Sequence, residues 1–227
     1  MLVIVAVGAS LVIARSTKGS STSSPTTRAP RVTTTSAPLA TTTVPPTTTV
    51  DPGSLPQTGA FPSATGPAFT ARMAALWAGV VTSTTQPALP AFFPESAYVA
   101  LKAVGNASSD YTGRLLVEYG ADLAAAHALL GAVPAAATLV GVNVDSGYGH
   151  WVPPGTCYNT VGYYEMPNAR VVYSVAGQVE SFGIASMISW RGEWYVVHLG
   201  AILRSGGGGE VDTPQSGPGT SAYSSTC

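Results

Sequence analysis

Residues 181–200 read SFGIASMISWRGEWYVVHLG, and this stretch decides the fold. Apolar and small residues alternate up to Trp190, Arg191-Gly192 interrupts, and an apolar run resumes to Leu199. Two β-prone runs joined by a two-residue turn predict a hairpin. Period-two spacing places Phe182, Ile184, Ser186, Ile188 and Trp190 on one face of the first strand. It places Trp194, Val196 and His198 on one face of the second. Back to Pro134 the same β-branched and aromatic composition persists and predicts strands at 137–144, 157–166, 169–175, 179–190 and 193–199. Upstream of Pro134 the period changes to that of a helix. Phe69, Met73, Leu76, Trp77 and Val80 mark a helix over 69–81, which Pro87 and Pro90 close. A second opens with Pro94 in its first turn and stops at Gly105-Asn106. Asp110 is positioned to cap a third, whose apolar residues Leu115, Leu116, Tyr119, Leu123, Ala126 and Leu130 recur up to Gly131. Helices followed by consecutive antiparallel strands is the α+β pattern: N-terminal helices packed on a curled antiparallel sheet.

The residues before this domain are built differently. Of the 55 residues from Ser16 to Thr70, 33 are Ser, Thr or Pro, too few of them apolar to offset the entropy of ordering a backbone. The expected organisation is an apolar anchor or signal segment at 1–14, a disordered linker at 15–68, the α+β domain at 69–204 and a Gly/Ser/Pro-rich tail at 205–227. The first segment, MLVIVAVGASLVIA, carries no charge. As a helix it would reach only about 21 Å against a hydrocarbon core of about 30 Å, so an anchor lacking its upstream part is expected. Arg15, Lys18, Arg28 and Arg31 follow it and oppose an outward-facing linker by the positive-inside tendency, unless upstream residues carry more basic charge. The expected location is the extracytoplasmic face of a cell membrane, with the membrane a partner through the N-terminus. Leu55-Pro56-Gln57-Thr58-Gly59 matches the L-P-x-T-G pentapeptide of sortase substrates. A whole domain follows it, so it reads as a chance match in a Pro/Thr/Gly-rich stretch.

Charge excludes one partner class. The chain carries 10 basic and 11 acidic residues with no basic stripe, so no nucleic acid is expected. Cys157 and Cys227 stand outside any CxxC or Cys/His cluster; no metal site is expected, and in an oxidising compartment one disulfide between them is the natural reading.

The element order, with SMISWRGEWYVVHLG at its close, resembles the nuclear transport factor 2-like (cystatin-like) fold. Anchor, linker and domain together resemble the mammalian-cell-entry-associated membrane proteins of actinobacteria. The resemblance implies a cone-shaped domain with a pocket between helices and sheet, and often a dimer. No cofactor is expected. It also implies chemistry to look for, since some members isomerise steroids or hydrolyse epoxides with Asp, Tyr, His or Arg side chains inside the cone. The corresponding candidates here are Asp145, Tyr158, Tyr163, Glu165 and His198, with His198, Asp145 and Tyr163 put forward as catalytic. A structural histidine is the plainer reading of His198, and surface or helix packing that of His127. The loop DSGYGHWVPPG at 145–155 offers Tyr148, His150 and Trp151 either as a binding lip or as a lid on the domain's own core. No G-x-S-x-G, P-loop or H-E-x-x-H motif is present. The function expected first is a non-catalytic domain binding an envelope protein or an apolar small molecule in the cone. A small-molecule isomerase or hydrolase, and a structural cell-surface spacer, are the alternatives.

Overall fold

The computed structural model describes residues 50–200 and 206–221. The anchor expected at 1–14, the linker up to residue 49 and Cys227 lie outside the described residues.

Among the described residues four α-helices precede six strands. Helix α1 (Pro67–Thr82) has proline in its first turn and ends where Ser83 turns left-handed (φ 53), its N–H reaching Gly79 O and Val80 O. Helix α2 (Glu95–Leu101) follows Pro94. Helix α3 (Ala107–Asp110) is capped by Asn106, whose Oδ1 accepts from Ser109 N at 3.0 Å. It begins a turn earlier than the cap expected at Asp110. A π-helical turn over Tyr111–Leu115 carries it into α4 (Leu116–Ala128). The helical period in the sequence corresponds to the buried stripes: Phe69, Met73, Leu76 and Val80 on α1, and Tyr119, Leu123 and Ala126 on α4. Phe92 stacks on Tyr119 with ring centroids 3.8 Å apart, and Phe93 N donates to Val196 O.

The sheet is antiparallel and open. Its order is β1 (Thr138–Asn143), β3 (Tyr163–Val175), β4 (Gln178–Trp190), β5 (Glu193–His198), with β2 (His150–Val152) also on β3 and β6 (Asp212–Ser216) also on β4. The hairpin that decided the fold turns through Arg191 (φ 54) and Gly192 (φ 78), the left-handed pair whose twist suits two antiparallel strands.

Four features depart from expectation. The strands expected at 157–166 and 169–175 form one strand, β3, that begins at Tyr163. Pro167 and the left-handed Asn168 (φ 47) fall where β1 stops at Arg170 and β2 at Glu165, so neither strand pairs with them. Residues 156–158 form a tight turn instead, with Cys157 (φ 53) and Tyr158 (φ 58) left-handed. In β5, Ser186 pairs with His198 while the next residue, Met187, pairs with Val196. Val197 is thus a bulge that puts His198 on the face opposite Trp194 and Val196. Strand β6 lies in the tail, where Pro214 and the Gly/Ser composition hid an edge strand; Asp122, fully buried on α4, accepts from Gly200 N and Glu210 N just before it.

The chain is already docked well before the expected start at 69. Trp190 Nε1 donates to Pro52 O at 3.0 Å, and Gln57 both donates to Ser189 O (2.7 Å) and accepts from Arg191 N (2.6 Å). Phe61 meets Tyr164 and Trp194 edge-on at 4.9 and 5.6 Å. Gly53 is buried so closely against α2 that a Cβ there would collide with Ser96 and the Ala97 backbone. This arm, 51–64, supplies the cover for the sheet face that carries Trp194.

Candidate functional site

The other face of the sheet, with α2 and the π-helical turn above it, encloses a cleft of about 260 Å³. Alternation places Tyr163 and Glu165 on one face of β3, and Glu165 lies opposite Ile188 of β4. Ser186, two residues from Ile188, points the same way, and the Val197 bulge adds His198. From above, Tyr98 and Lys102 descend from the end of α2, and Arg114 from the π-helical turn. The turn at 156–158 closes one side. It is sewn to α2 by Ala103 N to Tyr158 O (2.7 Å), Thr160 N to Leu101 O (2.8 Å) and Lys102 Nζ to Cys157 O (3.0 Å).

Glu165 is the most buried charged group of the cleft, 3% exposed. Its Oε1 accepts from Ser186 Oγ at 2.8 Å, and His150 Nε2, arriving from β2, lies 3.3 Å from its Oε2. Tyr163 accepts from Asn159 Nδ2 at 3.1 Å; burial, then the Glu165 charge, push its phenol up to about 12. His198 Nδ1 stands 4.0 Å from Glu118 Oε2. At the cleft's rim Arg114 bridges Asp110 (2.7 Å) and Glu118 (3.1 Å) and donates to Tyr98 Oη at 3.0 Å. Hydrogen bonding from Arg114 holds Asp110 down at about 2, whereas burial and the hydrogen bond to Asp110 raise Tyr98 to about 12. Lys102 is pushed below its ordinary value, first by burial and next by Arg114, with Asp110 and Glu165 opposing.

Among the sequence candidates the cleft therefore gathers Tyr163, Glu165 and His198, with Tyr158 at the margin and 76% exposed. Asp145 is not brought in: it is exposed and caps the short turn Ser146–Tyr148 through Gly147 N (3.0 Å). The loop at 145–155 packs on its own sheet as β2. Tyr148 is half-buried against the core, His150 reaches Glu165, and Trp151, 42% exposed, meets Tyr164 on the outer face at 5.0 Å. Cys157 is disulfide-bonded. Lys102, Arg114, Tyr98 and Ser186 were not among the candidates. Ser186 and Ile188 share a strand face in the sequence pattern, but α2 and α4 give no sign that their polar residues turn inward. Four charged or titratable side chains, Lys102, Arg114, Glu165 and His198, line the cleft together.

Two larger hollows offer less. One of about 590 Å³, between the arm and Trp151, has no ionisable side chain in its lining. One of about 610 Å³ holds Asp145 and the rim of the buried Arg170, whose Nη2 donates to Ser181 Oγ at 2.9 Å. Among the described residues no three His, Cys, Asp or Glu side chains are placed to hold a metal, and no helix is long and apolar enough to cross a membrane. No family model, no curated protein and no solved structure matches the chain at significance.

Proposed function

We propose that this protein is a membrane-tethered, extracytoplasmic domain that binds a small organic molecule in the cleft over β3–β5. The observation that carries the reading is Glu165: a carboxylate 3% exposed that lines a cavity large enough for a small molecule. A buried charge is costly unless partnered, and Ser186 and His150 are among its partners. A ligand presenting a hydrogen-bond donor to Glu165, with its apolar part against Leu101, Ile188 and Val197, fits the mixed lining. The tether rests on the uncharged residues 1–14, and the nuclear transport factor 2-like resemblance rests on the element order and closing hairpin.

A small-molecule isomerase or hydrolase is the second reading, favoured by one specific feature. Glu165, Tyr163 and His198 on a single cleft could give and take protons from a bound molecule. One experiment serves both. Small amines, alcohols, aldehydes and carboxylates are titrated into ¹⁵N-labelled protein, and products are followed in the same tubes. Binding should move amides around Glu165, Ser186 and His198, and Glu165→Gln should weaken donor-bearing compounds most. Shifts confined to the groove beside Trp151, or equal affinities in Glu165→Gln, would refute the reading; turnover lost in Glu165→Gln with binding retained would make it an enzyme.

A further inference from the structure

Lys102 is the only lysine among the described residues, and the chain's other lysine is Lys18. A surface lysine normally extends into water, but this one sits at the end of α2 with its ammonium turned under the 156–158 turn and into the cleft. Among the described residues the ammonium donates one hydrogen bond, to Cys157 O at 3.0 Å, which leaves N–H capacity facing the cavity. Across the same cavity stand Tyr163, Glu165 and His198.

Resting on the reading of the cleft as a small-molecule site, we propose that Lys102 forms a reversible imine with a carbonyl-bearing ligand, an aldehyde or ketone, held in that cleft. In the first step the neutral amine's lone pair attacks the carbonyl carbon. A C–N bond forms, the carbonyl π pair moves to oxygen, and transfer of a proton from nitrogen to oxygen gives a carbinolamine. Protonation of that hydroxyl then lets it leave as water while nitrogen's lone pair closes the C=N bond, and the iminium nitrogen gives its proton back to the group that supplied it. Amine and carbonyl become imine and one water, with no oxidant or reductant, and hydrolysis reverses it. The proton donors and acceptors are the phenol, carboxylate and imidazole already in the cleft. The step needs an amine that is neutral part of the time, which a lysine desolvated beside another cation provides. Burial and the neighbouring Arg114 push Lys102 in that direction.

The test uses the full, oxidised chain with butanal or benzaldehyde near neutral pH and cyanoborohydride, which reduces an imine to a stable amine. Peptide mass mapping should find Lys102 alkylated roughly tenfold or more faster than Lys18, with competition by any non-carbonyl ligand of the cleft. Lys102→Arg keeps a donor for Cys157 O and should retain the melting temperature while losing the label. Lys102→Gln serves if the arginine does not fit. Amide shifts induced by butanal without reductant separate the outcomes. Shifts at the cleft with no preferential label on Lys102 would overturn the imine and leave the binding reading standing. Neither shifts nor label would overturn both.

Discussion

Phe61→Ala tests whether the arm belongs to the folded domain. Phe61 is 45% exposed, and its buried side faces Tyr164 and Trp194 at 4.9 and 5.6 Å. A fully buried aromatic side chain removes about 150–250 Å² from water, so roughly 100 Å² is at stake here. At about 25 cal/mol per Å² that gives ~2.5 kcal/mol, an upper figure because an unfolded chain already hides part of its apolar surface. Loss of the edge-on ring contacts adds to it, while relaxation of a half-exposed site subtracts, and about 1–2 kcal/mol is the expected cost. Urea unfolding followed by tryptophan fluorescence reads this directly, since Trp194 lies under the ring. With a slope of about 2 kcal/mol per molar urea, the midpoint should fall by roughly 0.5–1 M with the slope unchanged. A companion substitution, Gln57→Ala, removes both the bond to Ser189 O and the one from Arg191 N and should destabilise in the same sense. A loss below about 0.5 kcal/mol for Phe61→Ala, the scatter of ordinary surface changes, would mean the arm contributes nothing and the domain begins near α1.

Two further outcomes are expected. Asp110 has its folded pKa depressed from 3.8 to about 2, chiefly by Arg114, so its stabilisation is complete above pH 4 and is lost as pH falls from about 4 toward 2. Wild type should therefore lose stability relative to Asp110→Asn across that window in acid-dependent urea titrations, and parallel curves would contradict the ion pair. The disulfide of Cys157 is proposed to join Cys227, the chain's other cysteine. Closing the loop between them is worth ~4 kcal/mol on the chain-entropy view, and mass spectrometry of non-reduced digests should find the two peptides linked, with free Cys227 the contrary result.

The architecture was legible because it is written in periods. Buried stripes on α1 and α4 are local patterns that the burial of each residue reproduces, whereas in β4 every residue from Ser181 to Trp190 is buried and the alternation only sorts them between two covered faces. What escaped depends on neighbours that no local pattern names. The arm was read as linker because Ser, Thr and Pro dominate its composition, yet Phe61, the Gln57 amide, the Pro52 carbonyl and the buried Gly53 dock it. Strand β6 escaped for the same reason: an edge strand needs a partner with unpaired backbone groups more than it needs β-prone side chains, and β4 offers them at Glu180–Gly183.

The site was legible on its sheet side only. Tyr163 and Glu165 are two residues apart in a strand, so their shared face follows from the sequence, but which face meets the helices does not. His198 shows how little displaces such a reading. Strict alternation groups it with Trp194 and Val196, and one extra residue at Val197 sends it to the opposite face, where Ser186 already accompanies Glu165. On the helical side, Lys102 reads as a solvated terminal lysine until the left-handed pair Cys157-Tyr158 brings a carbonyl oxygen over its ammonium. A left-handed conformation at two non-glycine residues costs free energy, and here a disulfide at Cys157 and three hydrogen bonds to α2 hold it in place. The turn that closes the cleft is thus held by covalent and backbone forces, which leaves the side chains inside free to be polar.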